Sequence, residues 1–338
     1  MTRVAVIGAG IAGLCAAREL QGLGYDVDVF EKSRGRGGRL ASKRLSWATV
    51  DTGAQYFTAR APRFRQQVKQ WLDCGAAQRW TFTPHKMIGG QLQLSPDDTE
   101  RFVGTPNMNS IAHHLAANLK LQLNVTVTAI ERRHQNWYLT DHSGAEWGAY
   151  QWLVVAIPAT QARQLVSERM PQAAAQQDAL LPCWAVVLAT KGSVCPTIQG
   201  VFGDDTVSWL SRLSAKPERI KPAGCDDVWL LHFSPQYSAQ HTQSHCTPAS
   251  ETQRYHQPQQ IIADAKAWLS KTLAHELDTV HEYHHFWRYA HFKPSQQQQA
   301  PLFDSKQRLA VIGDWCHGGR IEGAYWSAIH AVEQMVSR

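Results

Sequence analysis

The chain opens on a pattern that leaves few folds available. Val4-Ala5-Val6-Ile7 is an unbroken apolar run, as expected of a parallel strand covered on both faces. Gly8-Ala9-Gly10-Ile11-Ala12-Gly13 follows it, and Ile11, Leu14, Cys15, Ala17 and Leu20 continue at helical spacing to Gly24, a natural stop. Tyr25 to Phe30 reads as a second strand, and it ends at Glu31. Glycines alone are weak signals, but between a buried strand and a helix each has a task. The first makes the tight turn, the second lets the backbone approach a pyrophosphate, and the third lets helix and strand pack closely. Glu31 falls 23 residues after Gly8, where a carboxylate can accept hydrogen bonds from a ribose diol.

Charge sharpens this reading. Apolar residues make up 43% of the 338 and charged residues 18%, so the chain is globular, with a length prior of a little over two domains. Its formal charge is +6. Between Lys32 and Leu72 stand ten Lys or Arg against the single acid Asp51, so the excess sits in one stretch. That placement points to one anionic ligand site and argues against a nucleic-acid-coating surface. Seven scattered cysteines without a C-x-x-C pair, no signal-like segment at Met1, and no apolar run near 20 residues suit a cytoplasmic protein with free thiols and no membrane partner.

Along the rest of the chain, Pro62 to Leu72 reads as an amphipathic helix, Trp80 to Val103 as short β pieces, and Asn107 or Asn109 as the cap of a helix through Leu119. Val125 to Ile130 and Trp137 to Thr140, with a Ser143-Gly144 turn, read as a meander leading into the buried run Leu153 to Ile157. Further on, Trp184 to Ala189 and Val228 to Phe233 read as strands, Ser234 to Gln259 as a polar surface loop, and Ile261 to about Leu277 as a helix. Gln296 to Gln299 is a second polar breaker, and a helix from about Glu322 ends the chain.

Directly after Glu31 comes a second basic glycine loop, Arg34-Gly35-Arg36-Gly37-Gly38-Arg39, which points to a cofactor longer than a nicotinamide dinucleotide. Near the end, Gly313-Asp314 closes a strand with a carboxylate, and Gly318-Gly319-Arg320-Ile321-Glu322-Gly323-Ala324 leads into a helix whose N-terminus can stabilise negative charge. Taken alone, that tail also fits an ordinary strand-turn-helix ending.

These segments resemble the FAD-binding elements of the flavin amine oxidase superfamily. Within it, Asp51-Thr52-Gly53-Ala54-Gln55-Tyr56-Phe57-Thr58-Ala59-Arg60 and Gly313-Asp314-Trp315-Cys316 resemble the bacterial renalases. Arg101-Phe102-Val103-Gly104, Lys216-Pro217, His232 and His285-Phe286-Trp287-Arg288-Tyr289-Ala290 extend the likeness over nearly the whole chain. The resemblance implies an α/β protein with a Rossmann-like FAD-binding domain of three-layer β-β-α organisation and a discontinuous, mainly antiparallel β-sheet substrate domain with helices. Residues 1–75, 105–165 and 304–338 would form the first, and residues 76–104 and 166–303 the second.

What the resemblance implies about the site is specific. Non-covalent FAD would lie with its pyrophosphate on Gly8, Gly10, Ala12 and Gly13, its adenosine ribose on Glu31 and Lys32, its phosphate by Gly38 and Arg39, and its adenine on Val127. Ala54, Gln55 and Tyr56 would lie by the flavin, Asp314 by the ribityl chain or phosphate, and Ile321, Glu322 and Ala324 beside the ring. A dihydronicotinamide dinucleotide reduced at ring carbon 2 or 6 would contact Tyr56, Phe57, Thr58, Ala59, Arg60, Ser95, Pro96 and Asp97, with His232 and Trp287 as walls. Hydride would pass to the flavin, NAD(P)+ would leave, and O2 would be reduced to H2O2. No residue is assigned a proton; Tyr56, His232 and Trp287 are expected to position. The likeness leaves NAD or NADP preference open, and monomer or dimer. An oxidase of amines and a non-catalytic flavin or nucleotide-binding protein are the alternatives.

Two departures from the family stand out: Ala328 after Ser327, where a glycine is usual, and Leu213, where an asparagine is usual and a polar substrate contact is therefore in doubt. His281-Glu282-Tyr283-His284-His285 fits the H-E-x-x-H zinc pattern, which requires a helix. Here the segment reads as a strand, in which positions i and i+4 lie about 13 Å apart, so no metal is expected. Arg63 and Arg65 read as a solvated helix face, and His241, His245 and Cys246 as a solvated loop.

Overall fold

A computed structural model describes residues 1–171, 180–192, 194–242, 258–292 and 301–337. Its first sheet has six strands, in the order Leu302–Asp304, Leu309–Val311, Trp152–Val155, Arg3–Ile7, Asp26–Glu31 and Lys120–Leu123. All neighbours are parallel except the antiparallel pair Leu302–Asp304 and Leu309–Val311. Alternation explains the unbroken apolar run at the N-terminus. Val4 and Val6 face the helices Ile11–Gly22 and Arg320–Val336, packing with Leu14, Leu20, Ile329 and Val332. Ala5 and Ile7 face the antiparallel sheet of Val127–Arg133, Asn136–Asp141 and Glu146–Tyr150, packing with Trp137, Leu139 and Tyr150. The expected β-β-α layering is therefore present.

The chain leaves this sheet twice to build a second one and twice returns. The second sheet has seven strands, ordered Asp278–Phe292, Leu180–Lys191, Asp227–Phe233, Val207–Arg212, Gly200–Phe202, His85–Ile88 and Gln91–Leu94. Only the pair Gly200–Phe202 and His85–Ile88 is parallel. Trp184, Val186 and Leu188 pack on the helix Pro258–Leu273 through Ile261, Ala265 and Leu269. Ala185, Val187 and Ala189 face the other way, onto Val50, Leu45 and Trp47 of the hairpin Ser42–Arg44/Thr49–Asp51.

Several expectations shift. The helix expected through Leu119 spans only Ser110–Leu115 with an N-cap at Asn109, because Asn118 turns at φ +67° to feed the strand Lys120–Leu123. The helix expected to about Leu277 stops at Leu273, and Ala274 turns at φ +49°. The terminal helix starts at Arg320. Part of the polar loop is helical over Pro235–Gln240, where the Ser234 hydroxyl accepts from the Tyr237 N–H at 3.1 Å. The remainder of that loop from 243 to 257, with His245 and Cys246, lies outside the described residues, as does Gln296 to Gln299. Leu213 is buried among Ala185, Val187 and Val50, between the second sheet and the hairpin, and Ala328 is buried in the helix packing, so neither departure from the family lines the cleft described below. Among the described residues no helix is long and apolar enough to cross a membrane.

The first turn depends on two glycines. Gly8 sits at φ +105°, and a Cβ on Gly13 would stand 1.9 Å from the Gly8 carbonyl oxygen. Gly13→Ala should therefore destabilise by ~1–3 kcal/mol through overpacking. Gly22→Ala, where a Cβ meets nothing within 4 Å, should stabilise by ~0.5 kcal/mol through lower chain entropy. Urea unfolding midpoints of the two variants check both signs.

Candidate active site

A single cleft of about 2450 Å³ runs between the two sheets. An ordinary small-molecule pocket holds roughly 300–1,000 Å³, so the cleft has room for more than one ligand of that size. One end lies over the glycine turn. Gly8 N–H donates to the Phe30 carbonyl at 2.7 Å and Gly37 N–H to the Ala9 carbonyl at 2.8 Å, which joins the two glycine loops. Gly10 faces open space, with nothing within 4 Å of where a Cβ would stand. Glu31 is 8% exposed, and its two oxygens accept from Ala9 N–H and Ser33 N–H, each at 2.9 Å. A carboxylate has about four acceptor positions, so Glu31 retains capacity for a diol. Val127 lines this end, opposite Gln161 and Leu165 of the helix Ala159–Val166.

In the middle of the cleft, Arg39 Nη2 donates to Asp314 and Nη1 to the Ala290 carbonyl at 3.1 Å, tying the second glycine loop to the last strand end and to the second sheet. The segment after Asp51 runs along the wall. Thr52 offers its carbonyl to two donors from the second sheet, His232 Nε2 at 3.0 Å and Trp287 Nε1 at 2.8 Å. Gln55 Nε2 donates to the Asp51 and Gly53 carbonyls, each at 2.9 Å, and its Oε1 accepts from Lys216 Nζ at 2.7 Å.

The far end is aromatic. Tyr56 lies 5.2 Å from Trp209, which lies 5.0 Å from Phe202. Arg101 stands between the Tyr56 and Phe82 rings, 5.4 and 5.2 Å from their centroids, and grips Asp97 with two hydrogen bonds of 2.8 and 2.6 Å. Those bonds hold the Asp97 carboxyl below its ordinary range. Burial pushes His232 down to about 3, against a smaller opposing effect of its bond to Thr52, so its ring is neutral. Because Nε2 donates to a carbonyl, the proton is on Nε2 and Nδ1 is an acceptor. Burial likewise lowers His285, to about 4, and His291.

Comparison with known proteins settles the family. Residues 6–73 match an NAD(P)-binding Rossmann-like domain, and residues 82–336 match the flavin containing amine oxidoreductases. The chain belongs to the flavin containing amine oxidoreductase family. The zeta-carotene-forming phytoene desaturase of Myxococcus xanthus is 47% identical over 51 residues, 15% of this chain and 10% of that enzyme. The 1-hydroxycarotenoid 3,4-desaturase of Flavobacterium sp. (strain P99-3) is 45% identical over 58 residues, 17% of this chain and 12% of that enzyme. The match thus spans about a tenth of these curated relatives. Among solved structures, cyclohexylamine oxidase from Brevibacterium oxydans IH-35A superposes with a TM-score of 0.74 at 14% identity over 99% of both chains. An oxidoreductase from Methanosarcina mazei gives 0.72 at 11% identity over 98% of this chain and 100% of that one. At such identities the likeness shows the fold.

FAD is the cofactor of this flavin-dependent oxidoreductase family, and the cleft fits it. The open face of Gly10 leaves room for a pyrophosphate against the backbone, and Glu31 stands at the second strand end with free acceptor positions. Gly8, Gly10, Ala12, Glu31, Lys32, Gly38, Arg39, Ala54, Gln55, Tyr56, Val127, Asp314, Ile321 and Ala324 all line the cleft, as do Phe57, Thr58, Arg60, Asp97, His232 and Trp287. Five of the expected contacts do not line it. Gly13 is enclosed by the Gly8 carbonyl and Ala156. Glu322 accepts the N–H groups of Arg60 and Ala61 at 3.0 and 2.8 Å, holding the segment that enters the helix Pro62–Asp73. Ala59 packs against the core and Ser95 and Pro96 sit in the loop ahead of Asp97, with Ser95 N–H on the Pro84 carbonyl. Phe57 is largely a core residue, packed on Phe64, Trp71 and Phe102. Arg63 pairs with Glu333 on the helix surface. The H-E-x-x-H segment lies in the strand Asp278–Phe292, where His281 stacks on Trp47 and His285 meets Trp287.

Arg101, Phe202, Trp209, Lys43 and His291 also line the cleft, and Lys216 backs it. Arg101 and Lys216 fall in segments that resemble the family, and Lys43 belongs to the basic stretch between Lys32 and Leu72; Phe202, Trp209 and His291 carry no such signal.

Two measurements check this geometry. Gly10→Ala should fold with unchanged stability yet lose FAD on gel filtration, because its methyl would fill the cradle. For His232 the folded pKa, about 3, lies below the ordinary 6.5, so the unfolded chain binds the extra proton and stability falls as pH drops. The wild type should lose ~1.4 kcal/mol per pH unit relative to His232→Gln between about pH 6 and 4, measured by urea unfolding.

Proposed function

We propose that the chain is an FAD-dependent oxidase of dihydronicotinamide dinucleotides, the isomers of NAD(P)H reduced at ring carbon 2 or 6, as its resemblance to the bacterial renalases implies. The observation that supports this best is unbalanced charge. Lys32, Arg34, Arg36, Lys43, Arg44 and Arg60 line the cleft without an acidic partner among the described residues, whereas Glu31, Asp97 and Asp314 are all engaged. FAD's two phosphates offset part of that surplus, and a second phosphate-bearing molecule would offset more. Amine substrates are cations at neutral pH, and each unpaired charge at 8 Å opposes them by roughly 2 kcal/mol at an effective dielectric of 20.

When bound, FAD supplies the two-electron acceptor for hydride and the route to O2, with H2O2 as product. The chain's residues bind and align. Tyr56, Trp209 and Phe202 offer rings on which a nicotinamide can stack. His232, neutral and with Nε2–H committed to Thr52, is suited to accept a carboxamide N–H at Nδ1 and poorly suited to act as a base. A dihydronicotinamide loses hydride without first losing a proton, so alignment is what the site must provide.

Anaerobic mixing of the FAD-bound protein with the 2- and 6-dihydro isomers, with ordinary NADH and with a primary alkylamine tests this. Fast bleaching of the flavin by the isomers is expected. Bleaching by the amine alone would overturn the reading in favour of an amine oxidase, and none by any donor would leave a non-catalytic flavin protein. His232→Ala should slow bleaching about tenfold without abolishing it.

A further inference from the structure

Lys216 lies behind the cleft wall. It follows the turn Leu213–Ala215 and is 3% exposed, with its ammonium 5.2 Å from the centroid of the Trp80 ring. Nζ donates to Gln55 Oε1 at 2.7 Å. Both hydrogens of the Gln55 amide go to the Asp51 and Gly53 carbonyls, so the amide cannot turn, and Gln55 itself lines the cleft between Ala54 and Tyr56. Lys216, Gln55 and the cleft therefore form a fixed line.

A packing role explains this lysine poorly. A methionine would fill the space without the cost of taking a charge out of water. The charged and titratable groups that face it are Asp51, Arg219 and His232. Asp51 is already saturated, taking Arg219 at 2.6 and 3.1 Å, the Ser42 hydroxyl at 2.6 Å and Met108 N–H at 3.0 Å. Arg219 repels an ammonium, and His232 is neutral. No described group other than Gln55 accepts from Nζ. Burial, opposed by Asp51 and assisted by Arg219, brings Lys216 down to about 7.

We propose that Lys216 is a positioning residue for the flavin end of the cleft, which acts through the Gln55 amide by taking up a proton when negative charge arrives there and releasing it when that charge leaves. The proposal rests on the reading that Gln55 and Tyr56 lie beside the flavin. The balance is simple. Hydride brings two electrons and one proton, hence one net negative charge. Solvent supplies the proton that converts the Lys216 amine to ammonium, and that proton returns to solvent when the electrons pass to O2.

The reduction potential of the bound FAD, titrated across about pH 6 to 9.5, tests this. One additional proton per two electrons steepens the potential by about 30 mV per pH unit. The wild type should show that steeper slope above about pH 7 and the shallower one below it. Lys216→Met should be shallow throughout. Lys216→Arg, whose charge does not titrate, should be equally shallow but displaced to more positive potential. Equal slopes in the wild type and Lys216→Met would overturn the proposal. A wild-type line without a break would overturn it too, even if Lys216→Met failed to fold. Failure of the wild type to bind FAD would instead overturn the reading of the cleft.

Discussion

The cleft depends on how one carbonyl is held. Thr52 O takes hydrogen bonds from His232 and Trp287, on two strands of the second sheet, while the neighbouring Asp51 carboxylate takes Arg219. Two residues on, Ala54 N–H donates to the Arg39 carbonyl, in the loop that follows the first sheet. The segment from Asp51 to Tyr56 is thus pinned between both sheets by buried polar bonds. Losing one partner of a buried ion pair such as Asp51–Arg219 strands a charge, at a cost of about 3–5 kcal/mol. These bonds therefore set the cleft's geometry and also help join the sheets, together with the packing of Val50, Leu45 and Trp47 on the second one.

Burial also decides which groups carry the cleft's charge. His232, His285 and His291 are all pushed toward the neutral form, chiefly by desolvation. The positive potential then comes from arginines and lysines. Arginine does not titrate in the physiological range, so a phosphate-bearing ligand meets much the same field from acid to mildly alkaline pH. Lys43, lowered by burial and by the nearby Arg34, and Lys216, lowered by burial, hold their protons less firmly than a free lysine.

How much of this could be read from the residues depends on the range of the interaction. The turn from Val4 to Glu31 was legible because its strand, glycines, helix and acid are neighbours in the chain and each has a local reason. The strand that carries the H-E-x-x-H segment is legible for a similar reason, since the run of aromatics to Phe292 is itself strand-like. At the aromatic end the resemblance names Tyr56, Asp97 and His232, but neither Phe202 nor Trp209. Tyr56, Arg101, Trp209 and His232 converge only through the register of strands distant in sequence, with the strand of Trp209 lying between Gly200–Phe202 and Asp227–Phe233. Leu213 misled in the opposite sense. It departs from the family pattern, yet it is buried in an apolar layer with Val187 and Leu230 and does not line the cleft. Lys216 was invisible as a charge problem, because sequence gives no sign that a lysine will be enclosed.

The same surplus of charge that recruits phosphates must weaken the empty protein. Burial lowers Lys43 and His113, and like-charge repulsion adds to it, from Arg34 on the first and from Arg36 and Arg44 on the second. Arg36 Nε is buried without a partner among the described residues. A group in that state loses its hydration without recovering a bond. Ligand binding then does more than fill space, because a pyrophosphate relieves repulsion that folding has created. A ligand that binds only the folded chain stabilises it by about 2.7 kcal/mol at a hundred times its dissociation constant. Because the cleft is lined by elements of both sheets, that contribution acts on both at once, so cofactor binding and folding stability are linked.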